Sequence, residues 1–221
     1  MHRCYIDALL KFIMTNFEEF IILLETKLRA TLPGKAAHNK LMPVSRKNFP
    51  ANPDLSMAKP SSILILFYPL NNLPHIVFIQ RPKYDGVHSG QISFPGGKVE
   101  KSDVSMQQTA LRETGEEIGV NINEIKVIGK LTQLYIPPSN FLVEPFVGYI
   151  DYQPEFIPEE SEVSEIVQVG LDQILDSKNF QLRDIEVMQK NLSVPCFYVQ
   201  EKIIWGATSM ILNELVEVIK G

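Results

Sequence analysis

Apolar positions recur every three or four residues across residues 16–32. Phe17, Phe20, Ile21, Leu24 and Leu28 share one face, so the spacing predicts a helix that Pro33 and Gly34 terminate. Residues 34–60 are polar and carry several prolines, which reads as a long loop. Two apolar runs, SSILILFYPL and PHIVFIQR, read as strands joined by a turn around NNLP. EIKVIGKLTQLY and FLVEPFVGYI read as two more, separated by IPPSN, and IPEESEVSEIVQV is acidic and less regular. LDQILD predicts a short helix, and FQLRDIEVMQ and SVPCFYVQ read as strands. GATSMILNELVEVIKG predicts a closing amphipathic helix with Ile211, Leu215, Val218 and Ile219 on its apolar face. Strands interrupted by a few helices predict a mixed α/β or α+β domain.

Length and charge narrow this picture. The 221 residues suit one domain with an appendage, and 45% apolar content is enough for a sizeable core. The net charge of −5 argues against a protein that coats nucleic acid, which would show a basic stripe. It leaves room for a nucleotide-sized anion, because a metal can supply local positive charge. Cys4 and Cys196 form no disulfide framework and no zinc spacing, which fits a reducing, cytoplasmic compartment. No apolar run reaches the roughly 18 residues of a membrane span. The first stretch, MHRCYIDALLKFIM, carries Asp7 and Lys11 and lacks a small-residue cleavage site, so it does not read as a signal peptide. Met14 is an alternative start to Met1.

The stretch HSGQISFPGGKVEKSDVSMQQTALRETGEEIGV holds the chemistry. Asp103 as N-cap and Gly119 as C′ residue bracket a helix over residues 104–118. Residues seven apart stack, so Val104, Leu111 and Ile118 are expected to form the core stripe, with Gly115 beside it. Glu113, Glu116 and Glu117 then fall on the opposite side as neighbours. Three acids at the C-terminal end of a helix oppose its dipole, and only Arg112 stands four residues from one of them. A hard divalent cation resolves that conflict, because Mg²⁺ binds through a few carboxylates, waters and phosphate oxygens. The preceding FPGG supplies backbone that can approach a phosphate or offer a carbonyl to the metal.

From Gly97 to Val120 the chain reads G-x₅-D-x₈-R-E-T-G-E-E-I-G-V, which resembles the Nudix box G-x₅-E-x₇-R-E-U-x-E-E-x-G-U, with U apolar. Asp103 stands for the first Glu, one extra residue precedes Arg112, and Thr114 replaces a bulky apolar residue. Upstream, FIQRPKYDGVHSGQISFPGG resembles the signature of the coenzyme A pyrophosphatases within that family, with Gly86 and Ile79 where it has Arg and Thr. PSNFLVEPFVG and IIWGATSMIL resemble that group's later strand and C-terminal helix.

The resemblance implies a Nudix-type α/β/α sandwich with a mixed β-sheet over residues 32–221. Residues 1–31 then form a helical extension packed on that domain. It implies Mg²⁺- or Mn²⁺-dependent hydrolysis of the diphosphate of coenzyme A or acyl-CoA, to adenosine 3′,5′-bisphosphate and 4′-phosphopantetheine. The partner is a small nucleotide substrate, with no nucleic acid and no membrane, and a homodimer is compatible with the fold. Glu113 and Glu117 are expected to ligate the metal, with Glu116 as a third ligand and the Gly97 carbonyl as a further one. The general base is expected from Glu113, Glu116 or a later loop, where Glu162 is favoured over Glu159 and Glu165. Arg81 is expected on a phosphate, His88 and Gln91 are expected to shape the pocket, and Trp205 is expected in the core. Asp103, Arg112 and Gly119 are expected to hold the box together structurally. The alternatives are a pyrophosphatase for ADP-ribose or another nucleoside diphosphate derivative, to which Pro137 and Pro138 point, and a non-catalytic nucleotide sensor.

Overall fold

The computed structural model describes residues 16–44, 46, 49–50, 53–86, 88–187 and 190–221. The expectations for residues 1–15, including the two candidate starts and Cys4, lie outside them. In chain order the elements are α1 (Phe17–Leu28), α2 (Lys35–Lys40), β1 (Lys59–Leu70), β2 (Leu73–Gln80), β3 (Ile92–Ser93), β4 (Gly96–Lys98) and α3 (Met106–Ile118). They continue with β5 (Lys126–Lys130), β6 (Leu134–Ile136), β7 (Phe141–Tyr149), β8 (Glu165–Gly170), α4 (Leu171–Leu175), β9 (Phe180–Val187), β10 (Lys190–Val199), β11 (Lys202–Trp205) and α5 (Gly206–Lys220).

Strand β1 organises the molecule. Its run of Leu64, Ile65, Leu66, Phe67 and Tyr68 is wholly buried. A strand covered on both faces needs such an unbroken apolar run rather than alternation. β1 pairs in parallel with β7 along one edge, from Lys59 opposite Phe141 to Phe67 opposite Tyr149. Its other edge is shared, with β4 along Ser61–Ile63 and with β2 along Phe67–Leu70. Asn71 and Asn72, both at positive φ, make the two-residue turn between β1 and β2. The eight strands among the described residues that join this sheet run in the order β3-β2-β1-β7-β5, with β4, β6 and β8 attached at its margins. Strands β9, β10 and β11 form a separate antiparallel sheet.

The two faces of β1 feed two cores. Ile65 and Phe67 meet α1 and α5, with Phe20, Leu24, Leu212 and Leu215 fully or almost fully buried. Leu64, Leu66 and Tyr68 meet α3 through Ala110 and Ile118. The result is a helix/sheet/helix sandwich around a mixed sheet. Helix α1 starts where Asn16 Oδ1 accepts the Glu18 and Glu19 amides at 3.0 and 3.4 Å.

Several expected boundaries move. The long loop contains α2, whose six residues are too few to show a periodicity. EIKVIGKLTQLY is two strands rather than one. The chain breaks at Thr132, whose amide and hydroxyl turn to the buried Glu214 at 3.2 and 2.6 Å. Helix α5 is buried well beyond one stripe, Asn213 and Glu214 included. Glu214 also accepts from the Gly34 amide at 3.0 Å and meets His38 Nε2 at 2.8 Å, which binds α2 to α5. Among the described residues no helix is long and apolar enough to cross a membrane.

Candidate active site

Helix α3 begins two residues later than its pattern predicts. Ser105 caps it, accepting the Gln108 amide at 3.1 Å. Asp103, expected as the cap, instead takes the Arg112 guanidinium in a two-pronged pair, both contacts at 3.0 Å, and the Thr109 hydroxyl at 2.9 Å. That pair holds the Asp103 carboxyl far below its usual range and the guanidinium correspondingly high. Arg112 also reaches Glu116 at 2.8 Å, Glu113 at 3.0 Å and the Lys98 carbonyl at 3.1 Å. It thereby ties the loop after β4 to the helix.

The expected core stripe is displaced around the helix. Val104 is 88% exposed, and the buried side carries Thr109, Ala110, Thr114, Glu117 and Ile118. Small residues let α3 lie close to β1. Thr114 is fully buried and satisfies its hydroxyl on the Ala110 carbonyl at 2.7 Å. Glu117 consequently points inward rather than away from the sheet, and is 1% exposed.

The glycine pair of β4 meets the inward acids. The Gly96 amide donates to Glu117 Oε2 at 2.8 Å. Gly96 sits at φ +147, and a Cβ there would lie 2.3 Å from the Ser62 carbonyl oxygen, so no other residue fits. At Gly97 a Cβ would lie 2.3 to 2.5 Å from the Glu113 carboxyl atoms. Bare backbone is what allows Glu113 to stand against this strand. The Gly97 carbonyl accepts the Ser61 hydroxyl at 2.7 Å, and Ser61 also lines the cavity. Ser61 was not singled out from the sequence, because a serine at the start of a strand carries no local signal.

Glu113, Glu117 and Glu162 come together, each offering a carboxylate oxygen within 4.8 Å of the others. Glu116 is not in that group. Its side chain is 59% exposed and engaged by Arg112. Glu162 is supplied by the loop that precedes β8, and that loop is pinned to the end of α3. The Ile157 amide donates to the Ile118 carbonyl at 2.9 Å, and the Glu159 amide to the Glu117 carbonyl at 3.1 Å. Gly119 makes this approach feasible, for it is left-handed at φ +73 and a Cβ would lie 2.8 Å from the Ile157 side chain. Buried Val163 anchors the loop beside Glu162, whereas Glu159 and Glu165 lie outside the carboxylate group.

Burial pushes the Glu117 carboxyl up to about 8. The Gly96 amide and Arg81 oppose the rise, and Glu113 and Glu162 add to it. Glu113 is also raised, first by burial, with Arg112 pulling it back. Crowded oxygen donors with an ionisation penalty suit a hard divalent cation, so the donor set fits the metal that the sequence resemblance implies.

These residues open onto a cavity of about 840 Å³, lined also by Arg81, His88, Gln91, Gly97 and Phe141. His88 adopts a positive φ, and its Nδ1 lies 3.0 Å from Gln91 Oε1. Burial lowers its pKa, Gln91 opposes this and Arg81 reinforces it. Trp205, expected in the core, is half-buried at the end of β11 and lines a neighbouring cavity.

Known proteins similar to this chain include two curated relatives and one solved structure. The Nudix hydrolase NudL of Pectobacterium atrosepticum, itself uncharacterized, is 38% identical over 128 residues, spanning 58% of this chain and 66% of that one. Its namesake in Yersinia pestis strain Pestoides F is 31% identical over 144 residues, spanning 65% and 72%. Among solved structures, the Nudix domain of Shewanella oneidensis NrtR complexed with ADP ribose aligns at a TM-score of 0.44 and 18% identity, over 58% of this chain and 82% of that one. The Nudix domain family profile matches residues 60–190, more than half of the sequence, and this chain therefore belongs to the Nudix hydrolase family.

Proposed function

We propose that this protein is a divalent-metal-dependent pyrophosphatase that cleaves the diphosphate of coenzyme A or an acyl-CoA into adenosine 3′,5′-bisphosphate and 4′-phosphopantetheine. The observation that carries the reaction class is the carboxylate group of Glu113, Glu117 and Glu162 at the wall of a cavity that also presents Arg81. The choice of coenzyme A is supported by the HSGQISFPGG stretch, whose His88, Gln91 and Gly97 line that cavity.

A bound Mg²⁺ or Mn²⁺ would neutralise diphosphate oxygens and acidify a water. Glu113 and Glu117 are the residues to hold it, with the Gly97 carbonyl beside them and Glu116 confined to steadying Arg112. Arg81 meets phosphate oxygens, for which a guanidinium suits both shape and charge. Glu162 stands on the loop side of the acids and accepts the proton of the attacking water. Water adds to one phosphorus, the bridging P–O bond breaks, and adenosine 3′,5′-bisphosphate and 4′-phosphopantetheine leave. Asp103, Arg112 and Gly119 fix the geometry without touching substrate.

The test is turnover on coenzyme A, ADP-ribose, NADH and nucleoside triphosphates with Mg²⁺ or Mn²⁺. Coenzyme A is expected to give the highest kcat/KM. A clear preference for ADP-ribose would move the substrate to the second reading, and turnover unchanged in Glu117→Gln would remove the metal assignment.

A further inference from the structure

The loop between α2 and β1 brings a second guanidinium to the cleft. Arg46 is half-buried. Its backbone is fixed by turns, the amide donating to the Pro43 carbonyl at 2.9 Å and the carbonyl accepting the Phe49 amide at 3.2 Å. Its side chain reaches toward the body, where Nη1 meets Met210 Sδ of α5 at 2.9 Å and Nη2 donates to the Tyr135 carbonyl of β6. A guanidinium carries five N–H donors. The other three have no partner among the described residues, and no carboxylate of those residues pairs with it. Burial lowers its pKa to about 10, which leaves it a cation at neutral pH. A charge taken partly out of water, with only a thioether and a carbonyl in return, lacks an opposite charge.

Arg46 lines a second cavity, of about 700 Å³, which shares His88, Gln91, Ile136 and Ala207 with the acid-lined one. The neighbours of its two contacts, Ile136 and Ile211, line the acid-lined cavity. Arg81 lines only the first cavity and Arg46 only the second. Lys202 of the second lining is already met by Glu165 and by Gln80 Oε1 at 2.9 Å. The acids of that lining, Asp85, Glu186 and Glu201, are exposed, and none pairs with Arg46. Resting on the pyrophosphatase reading above, we propose that Arg46 receives a phosphomonoester of the substrate separate from the diphosphate, which in coenzyme A is the 3′-phosphate. Two anionic groups on one molecule then meet two cationic places in one cleft. The metal acids and Arg81 take the diphosphate, and the remaining N–H groups of Arg46 suit the oxygens of the monoester. A diphosphate without that monoester, such as ADP-ribose, leaves Arg46 uncompensated. Arg46 is thus a specificity residue remote from the bond that breaks.

The experiment uses the full chain with Mg²⁺ and compares coenzyme A with 3′-dephospho-coenzyme A. The wild type is expected to prefer coenzyme A at least about tenfold in kcat/KM, carried by KM. Adenosine 3′,5′-bisphosphate is expected to inhibit it at least about tenfold more tightly than AMP. In Arg46→Gln both ratios are expected to fall to near one, whereas Arg46→Lys, which keeps the charge and loses the fork, is expected to retain part of each. Equal losses on both substrates in Arg46→Gln make Arg46 a brace for Met210 and Tyr135 and overturn the assignment. Where Arg46→Gln does not fold, Arg46→Lys decides, and ratios unchanged from the wild type overturn it. A wild type indifferent to the 3′-phosphate also overturns it and leaves the pyrophosphatase standing. Absence of hydrolysis of both coenzymes, with ADP-ribose still cleaved, overturns the coenzyme A reading and the role of Arg46 with it.

Discussion

Glu117 is held by the Gly96 amide at 2.8 Å, an acid of the helix fixed to a glycine of the strand beneath it. The acid is almost wholly buried and raised to about 8. A carboxyl whose folded pKa is raised favours the protonated form in the folded state. Stability is therefore present below its ordinary value and is lost as pH rises toward about 8. Metal-free wild type is expected to lose thermal stability between about pH 5 and 8 relative to Glu117→Gln. The variant should melt several degrees higher at pH 8 while its kcat/KM falls by at least about a hundredfold. Thermal melts with and without Mn²⁺ check this, because the cation should restore only the wild type. Equal melting profiles would count against it.

The two glycines of β4 separate stability from chemistry. Gly96→Ala drives a Cβ into backbone at a positive φ and is expected to cost about 3 kcal/mol. At Gly97→Ala the nearest atoms to the new Cβ are those of the Glu113 carboxylate, a side chain that can swing aside. It is expected to leave stability within about 1 kcal/mol and to lower kcat/KM about a hundredfold. Urea unfolding beside kinetics on both variants would show whether the two effects part.

Arg112→Lys keeps the charge and loses the fork. A single ammonium cannot make the paired contacts with Asp103 and also hold Glu116 and the Lys98 carbonyl. We expect a loss of about 1–3 kcal/mol by urea denaturation and about tenfold in kcat.

Glu214 gives the opposite pH signature to Glu117. Burial raises its pKa, but His38, Thr132 and the Gly34 amide outweigh this, so the net direction is down. A lowered carboxyl contributes stability that is present above its unfolded value and is lost as pH falls through the folded one. Acid unfolding of the wild type should therefore steepen below about pH 4.5, and Glu214→Gln should flatten it. Glu214→Ala, which strands buried His38 and the Gly34 amide together with half-buried Thr132, should cost about 3 kcal/mol at neutral pH.

The sheet and the outer helices were legible because their apolar positions repeat cleanly. The phase of α3 was not. Its inner face is carried by Ala110, Thr114 and Glu117, which give little hydrophobic signal, while apolar Val104 points to solvent before the helix begins. Spacing correctly made Glu113, Glu116 and Glu117 neighbours, yet spacing does not say which of them the Gly96–Gly97 strand will face. Glu162 could be named only as one of several acids in its loop, since what selects it is the docking of that loop on the end of α3. The His38–Glu214 contact joins residues 176 positions apart, beyond any local pattern.

The amides of Ile157 and Glu159 close the last turn of α3, which makes the loop bearing Glu162 the cap of that helix. Such a loop is a poor door. Swinging it outward would strand two helix carbonyls and loosen the very residue that carries Glu117. Traffic in and out of the cavity is thus steered away from this loop and past other lining residues such as Tyr84 and His88. The acids can stay assembled while substrates and products exchange past them.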